Sequence, residues 1–433
     1  MELKPGYKRT EVGVIPADWS VAELHQIADK IMVGIASAAT HAYRDNGIVL
    51  FRNQNIKPGH LDDSDILHIS ESYEATFKNK RLRAGDLLTA RTGYPGTTAI
   101  VPQKHEGAQS FTTLIIRPRK GAVDSTYLCC FINSEIGQLY FAQNQIGGGQ
   151  KNVNAGSLKH LQVPLPPTRV EQEAIAEALT DADALIESLE QLLAKKRLLK
   201  QGAMQELLTG KKRLPGFSSA WETVQLGKLG TTYGGLTGKS KRHFGTGSAK
   251  YITFMNIMSN VVVDSTTFES VDVQPTESQN SVCKGDLFFN GSSETPEEVG
   301  MCSVLTKDAR SVFLNSFCFG YRLRDPNRAD GLYLAYYFRS QQGRELLKSL
   351  AQGATRYNLS KTALMKTQFE LPVLQEQISI AAVLSDMDGE INALEAKLTK
   401  ARHLKQAMMQ ELLTGKIRLV PPVDQSEATG SSV

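Results

Sequence analysis

Lys200–Leu214 reads KQGAMQELLTGKKRL and Lys405–Leu419 reads KQAMMQELLTGKIRL, with 12 of 15 positions identical and 205 residues between the copies. A repeat with so long a period is no solenoid; each copy must bring a whole domain with it. The repeat also extends upstream. Glu171-Gln172 matches Glu376-Gln377, and Ile175, Leu179, Ile186, Leu189 and Leu193 match Ile380, Leu384, Ile391, Leu394 and Leu398. With Ala182 and Met387 these positions step by 4, 3, 4, 3 and 4, the a/d spacing of a coiled-coil seam. Lys200 and Lys405 form polar breaks, and Gly202 stands where the second copy has Ala407.

Each segment follows a proline-bearing stretch (Pro164, Pro166, Pro167; Pro372) and ends at Gly210 or Gly415, a glycine helix stop. About 38 residues at 1.5 Å each predict a helix of roughly 57 Å. Two helices with matching register are expected to pair with each other, antiparallel.

The flanking regions repeat more weakly. Asn55-Ile56 corresponds to Asn256-Ile257, Gly85-Asp86-Leu87 to Gly285-Asp286-Leu287, and Trp19 to Trp221. Tyr127-Leu128, Ser134 and Gly137 correspond to Tyr333-Leu334, Ser340 and Gly343. Short β-rich runs at 48–51, 99–101, 113–117, 251–254, 261–263 and 312–319 alternate with Gly/Asn/Asp turns, and helices are expected at 125–143 and 331–350. The fold class is therefore α+β: two similar domains separated by two long helices expected to form an antiparallel coiled coil, with pseudo-two-fold organisation. The boundaries read as 1–165 and 213–373 for the domains, 166–212 and 374–420 for the helical regions, and 421–433 for a polar tail expected to be disordered.

Charge refines this. The net +4 distributes as +3 over 1–165, −1 over 166–212, +4 over 213–373 and −2 over 374–433. Basic domains and acidic helices permit nucleic acid as a partner of the domains without demanding it. No apolar run reaches the roughly 20 residues of a membrane span. The first residues lack a signal-peptide core, and five cysteines without a C-x-x-C pair fit a reducing cytoplasm.

No catalytic kit is legible. Tyr233–Ser240 (YGGLTGKS) lacks the first glycine of a phosphate-binding loop. Asp388 with Glu395 and Lys397 falls on the heptad-patterned helix, where alternating charge is expected. The eight histidines show no H-x-x-x-H spacing, so neither a catalytic nor a metal site is assigned.

What remains is a set of donor-rich loops. Arg52, Asn53, Gln54, Asn55 and Lys57 concentrate the side chains that make paired contacts to guanine and adenine edges. Arg91 and Tyr94 lie in a turn after a strand; Lys151 and Asn152, like Arg356 and Asn358, precede the long helices at similar distances. In the second domain Asn256 and Ser292 occupy matching places, and Lys239, Lys241 and Arg242 form a basic loop. These 16 residues are the candidate DNA contacts.

The duplicated E-Q-x-x-I-A…D-x-D…K-Q-x-x-M-Q-E-L-L-T-G-K-x-R-L element resembles the conserved regions of type I restriction–modification specificity subunits, and the resemblance covers the whole chain. Tyr7-Lys8-Arg9…Trp19 continues where Lys416–Leu419 leaves off, similar to the circular pseudo-symmetry of that family. The resemblance implies a non-catalytic subunit whose two domains each read half of a split double-stranded DNA site in the major groove. It implies helices that set the spacer and dock two methyltransferase subunits, with two motor/nuclease subunits joining for restriction. Those partners are expected to use S-adenosylmethionine, ATP and Mg²⁺, with no cofactor in this chain, and the location to be cytoplasmic without membrane contact. The competing expectation is a coiled-coil protein-interaction adaptor without DNA specificity.

Overall fold

The computed structural model describes residue 3, residues 5–145 and residues 152–421. Lys151 and the tail after residue 421 lie outside the described residues, so the expectations placed on them are not addressed by it. The chain forms two units, one of residues 1–189 with 397–433 and one of residues 190–396. Each unit combines one recognition domain with the start of the long helix that follows it and the end of the other long helix.

In the first unit, an antiparallel sheet runs Ala28–Val33, Leu114–Pro118, Leu87–Thr89, Thr98–Ile100 in spatial order. Its central strands are buried on both faces. Leu87, Leu114 and Ile116 enter the main core with Tyr127, Leu128 and Phe131, while Leu88 and Ile115 enter a second core with Phe51 and Ala99. Period-two alternation thus sends apolar side chains both ways, so the strands read as continuous apolar runs. A second sheet orders Gln109–Ser110, Ile48–Phe51, Leu67–Ile69 and Tyr43–Arg44. The second unit repeats the first sheet with Gly230–Gly234, Cys318–Leu323, Leu287–Asn290 and Cys302–Val304.

The expected helices at 125–143 and 331–350 each divide in two, Ser125–Asn133 with Glu135–Gln143 and Gly331–Arg339 with Gln341–Ser349. Ser134 and Ser340 are extended and accept from the Gly137 and Gly343 N–H groups, capping the second helix of each pair. A Cβ on either glycine would meet a carbonyl oxygen of the preceding helix, Ile132 at 2.4 Å or Tyr337 at 2.0 Å. Only glycine permits that approach. Three strand expectations change also. The run 251–254 ends at Ile252, because Thr253 caps the helix Phe254–Ser259. Residues 261–263 make one bridge, Val262 to Val304, and no strand. The run 312–319 breaks where the Asn315 side chain accepts from the Phe317 N–H, so Val312–Leu314 and Cys318–Leu323 join different sheets.

The Gly-Asp-Leu repeat has a buried cause. Gly85 and Gly285 turn at φ of 84° and 88°. Asp86 then accepts both the Arg83 N–H and a two-pronged bond from Arg117 at 2.8 and 2.6 Å. Asp286 does the same with the Cys283 N–H and Arg322 at 2.8 and 2.7 Å, and also accepts from the Tyr233 hydroxyl. Both aspartates are almost fully buried, and a buried carboxylate is tolerated when paired and fully hydrogen-bonded.

The long helices are Arg169–Leu207 and Leu374–Leu412, 39 residues each. In the first unit Glu171 meets Arg418 and Asp183 meets Lys405; in the second Glu376 meets Arg213 and Asp388 meets Lys200. Partner numbers fall as helix numbers rise, so the helices run antiparallel within each unit. The lysines read as polar breaks are thus interhelical ion pairs. Lys196–Glu390 and Arg197–Glu395, both at 2.6 Å, add to the second.

Of the seam residues, Ile175, Leu179, Leu193, Ile380, Leu384, Ile391 and Leu398 are buried, and Ile186, Leu189 and Leu394 half-buried. Ile175 and Leu179 share a core with Leu412, Leu413 and the first domain; Ile380 and Leu384 share one with Leu207, Leu208 and the second. The start of each seam therefore serves its own domain as well as the opposite helix. No helix among the described residues is long and apolar enough to cross a membrane.

Candidate nucleic-acid interface

The donor-rich loops of the first domain converge. The Asn53 side-chain oxygen accepts the Arg91 N–H at 2.7 Å, and the Arg91 carbonyl accepts the Val153 N–H at 3.3 Å, which sets Asn152 beside the turn carrying Tyr94. The second domain builds the same junction by other means. The Phe317 carbonyl accepts the Gly291 N–H at 2.9 Å, and the Gly291 carbonyl accepts the Leu359 N–H at 2.9 Å. Ser292 then faces Asn358 in an antiparallel ladder, and Arg356 lies in the turn before it.

Within these loops the candidates differ in what they can do. Tyr94 is 85% exposed, a ring standing in solvent. Lys57, Lys241, Arg242, Arg356 and Asn358 are exposed as well. Arg52 is half-buried and donates to the carboxylate and carbonyl of Asp65 at 2.8 and 2.9 Å, and Gln54 donates to the same carboxylate at 2.7 Å. The Nε groups of Arg52 and Arg91 are buried and find no partner among the described residues.

Three candidates sit elsewhere than at an accessible surface. Asn55 is buried, accepting the Arg52 N–H and donating to the Asp62 and Asp65 carbonyls. Asn256 is buried likewise, bonded to Asp264 and Thr267. Their repeat reflects a shared loop-closing task, with both amide ends occupied by the chain. Lys239 has a side chain only 4% exposed and donates to Glu277 at 2.6 Å, which holds that carboxyl down at about 2. No hydrogen bond among the described residues joins Lys241 or Arg242 to the Ser292–Asn358 ladder.

Phe317 is the residue the sequence reading passed over. It is 61% exposed, beside Gly291, in the turn that divides the 312–319 run. The Asn315-Ser316 pair was the available turn signal.

All five cysteines are free. Burial pushes the thiols of Cys129, Cys130, Cys302 and Cys318 up, to about 12 for Cys130 and Cys318, which disfavours the thiolate a nucleophile needs.

Two α+β units, each presenting loops at one repeated junction and joined by a duplicated helix, define a twofold recognition protein. Comparison with known proteins gives its class. The family model described as type I restriction modification DNA specificity domain matches residues 16–195 and again 218–401. The chain belongs to this family and carries two copies of its domain. It is 25% identical over 445 residues to the type I restriction enzyme MjaX specificity subunit of Methanocaldococcus jannaschii, covering 95% of this chain and 97% of that one. It is 20% identical over 430 residues to the EcoKI specificity subunit of Escherichia coli K12, covering 94% and 90%. Among solved structures, the S subunit of a type I system from M. genitalium shares the fold at a TM-score of 0.58 and 14% identity, covering 95% of this chain and 98% of that one.

Proposed function

We propose that this specificity subunit reads a bipartite double-stranded DNA site, one half with each unit, and directs adenine methylation and restriction performed by partner subunits. The observation that carries the reading is the repeated loop junction, Asn53–Arg91–Val153 in one unit and Phe317–Gly291–Leu359 in the other, within two copies of a DNA specificity domain. Lys57, Lys241 and Arg242 supply cations for phosphates, while Gln54, Tyr94, Asn152, Ser292, Arg356, Asn358 and Phe317 supply hydrogen bonds and apolar contacts for base edges. Arg52 holds its loop through Asp65, and the Arg91 backbone ties the Asn53 and Val153 loops together. The chain itself is non-catalytic. Two methyltransferase subunits would dock on the acidic helical regions and two motor/nuclease subunits would complete the complex, bringing S-adenosylmethionine, ATP and Mg²⁺.

The test is methylation mapping of the chain reconstituted with its methyltransferase subunits, alongside binding measured against salt. A split recognition sequence, with log affinity falling steeply and linearly in log salt, is expected from phosphate neutralisation. Salt-insensitive binding without sequence preference would instead establish the protein-interaction adaptor.

A further inference from the structure

Glu23, His25 and His160 gather on the first unit, and none of them is among the residues assigned to DNA. Glu23 ends the strand Ser20–Glu23 and precedes the one-turn helix Leu24–Ile27, which contains His25. That strand pairs with Gln162–Leu165 so that Glu23 faces Gln162, and His160 lies two residues before. Backbone bonds fix the arrangement: the Leu24 N–H donates to the Leu161 carbonyl at 2.9 Å and the His25 N–H to the Lys159 carbonyl at 3.1 Å.

On this frame the side chains converge. One carboxylate oxygen of Glu23 lies 3.0 Å from His25 Nδ1 and 3.2 Å from His160 Nδ1. The rings meet edge to face at 6.1 Å, and the three donor atoms all lie within 4.8 Å of one another. Bonds of about 2.0–2.2 Å at a tetrahedral ion set donors roughly 3.4 Å apart, close to the 3.0 and 3.2 Å from Glu23 to the two imidazoles. The other Glu23 oxygen accepts from Gln162 Nε2 at 3.3 Å, an outer contact of the kind that orients a ligating carboxylate.

The second unit supplies an internal comparison. There Gln225 precedes the one-turn helix Leu226–Leu229 and faces Gln368 in the equivalent strand pair. Gly227 takes the place of His25 and Lys366 that of His160. The same backbone forms with none of the three ligand types, so the fold does not require them. Their joint occurrence at one place calls for a different cause.

We infer that Glu23, His25 and His160 form a site for a borderline divalent transition ion, zinc by preference, with two imidazole nitrogens, one carboxylate oxygen and a fourth position left to water. Nitrogen-rich mixed donors select such ions over magnesium or calcium. The ion would clamp the 159–161 turn to the Leu24–Ile27 turn at the edge of the first recognition domain.

The test uses the full-length chain without a histidine tag. Zinc is titrated calorimetrically, and cobalt serves as a second probe whose visible absorption reports low coordination number. One ion per chain is expected, with His25→Ala and His160→Ala each weakening binding roughly tenfold or more and His403→Ala, an exposed histidine on the second long helix, leaving it unchanged. Circular dichroism confirms that each variant is folded. Absence of binding at millimolar zinc, or affinity equal to the parent in both His25→Ala and His160→Ala, would overturn the assignment.

Discussion

Arg418 donates to Glu171 across 247 residues of sequence at 2.8 Å, and Arg213 makes the same pair with Glu376 at 2.6 Å. Each arginine also faces a tryptophan, Trp19 at 6.0 Å and Trp221 at 5.6 Å. In the second unit Arg213 lies close in sequence to Trp221 and Ser219, with Glu376 163 residues away; in the first, Arg418 reaches Asp18, 400 residues away, and its neighbour Trp19. Arg418 takes up Asp18 at 3.0 Å where Arg213 takes up the Ser219 carbonyl. The C-terminal segment therefore completes the first unit as Arg213 completes the second, the circular pseudo-symmetry anticipated from Tyr7–Trp19 and Lys416–Leu419.

Arg418→Ala should consequently damage the first unit alone. Glu171 is 1% exposed, and burial already raises its carboxyl above the ordinary range despite the arginine. Removing one partner of such a pair leaves an uncompensated buried charge and costs about 3–5 kcal/mol. Hydrogen exchange should show early opening of residues 1–189 with 397–421 and unchanged protection in 190–396. Uniform loss of protection in both units would contradict the division.

Gly202→Ala should stabilise. Gly202 lies inside the helix Arg169–Leu207, and a Cβ there meets nothing within 4 Å. The second copy already carries Ala407 at this place. Relief of backbone entropy predicts a gain of about 0.5–1 kcal/mol, read from chemical denaturation of the second unit. A loss of stability would show that the methyl meets a neighbour.

The Lys239–Glu277 pair predicts a local acid response. Glu277 titrates near about 2 in the folded chain, below its ordinary 4.5, chiefly through the bond from Lys239. A depressed carboxyl contributes stability that is complete above the ordinary value and is lost as pH falls from about 4.5 toward 2. Proton exchange in the Lys239 loop should accelerate across that window, and Glu277→Gln should remove the pH dependence while loosening the loop at neutral pH. An unchanged profile in Glu277→Gln would place the acid response elsewhere.

The duplication, the helix lengths and the α+β class were legible because they are carried by local pattern: a heptad step, a glycine stop, a repeated tripeptide. The meaning of several matched residues was not. Gly-Asp-Leu repeats because Arg117 and Arg322, 31 and 36 residues further on, close over the aspartates. Lys239 reads as a free cation until Glu277 covers it from 38 residues away. Asn55 and Asn256 look like base readers because amides serve both base edges and loop closure, and only burial separates the two uses. The strand Ser292–Ser293 has no apolar alternation to announce it; its partner Tyr357–Leu359 fixes it from outside.

That distinction between exposed and spent side chains yields the last prediction. Tyr94→Ala removes a ring that stands 85% in solvent, so it should leave stability unchanged and alter one half of the recognised sequence. Arg356→Ala, on an exposed turn of the other unit, should alter only the other half. Each lost base contact is expected to cost about 1–3 kcal/mol of site binding. Asn55→Ala should behave differently: it strips three hydrogen bonds from the loop that presents Arg52 and Gln54, lowering stability and blurring the first half-site without switching its bases. Methylation mapping of the reconstituted complex separates these cases, since a substituted base, a degenerate base and an untouched half-site give different patterns. If Tyr94→Ala and Arg356→Ala each changed both halves equally, the two units could not be independent readers.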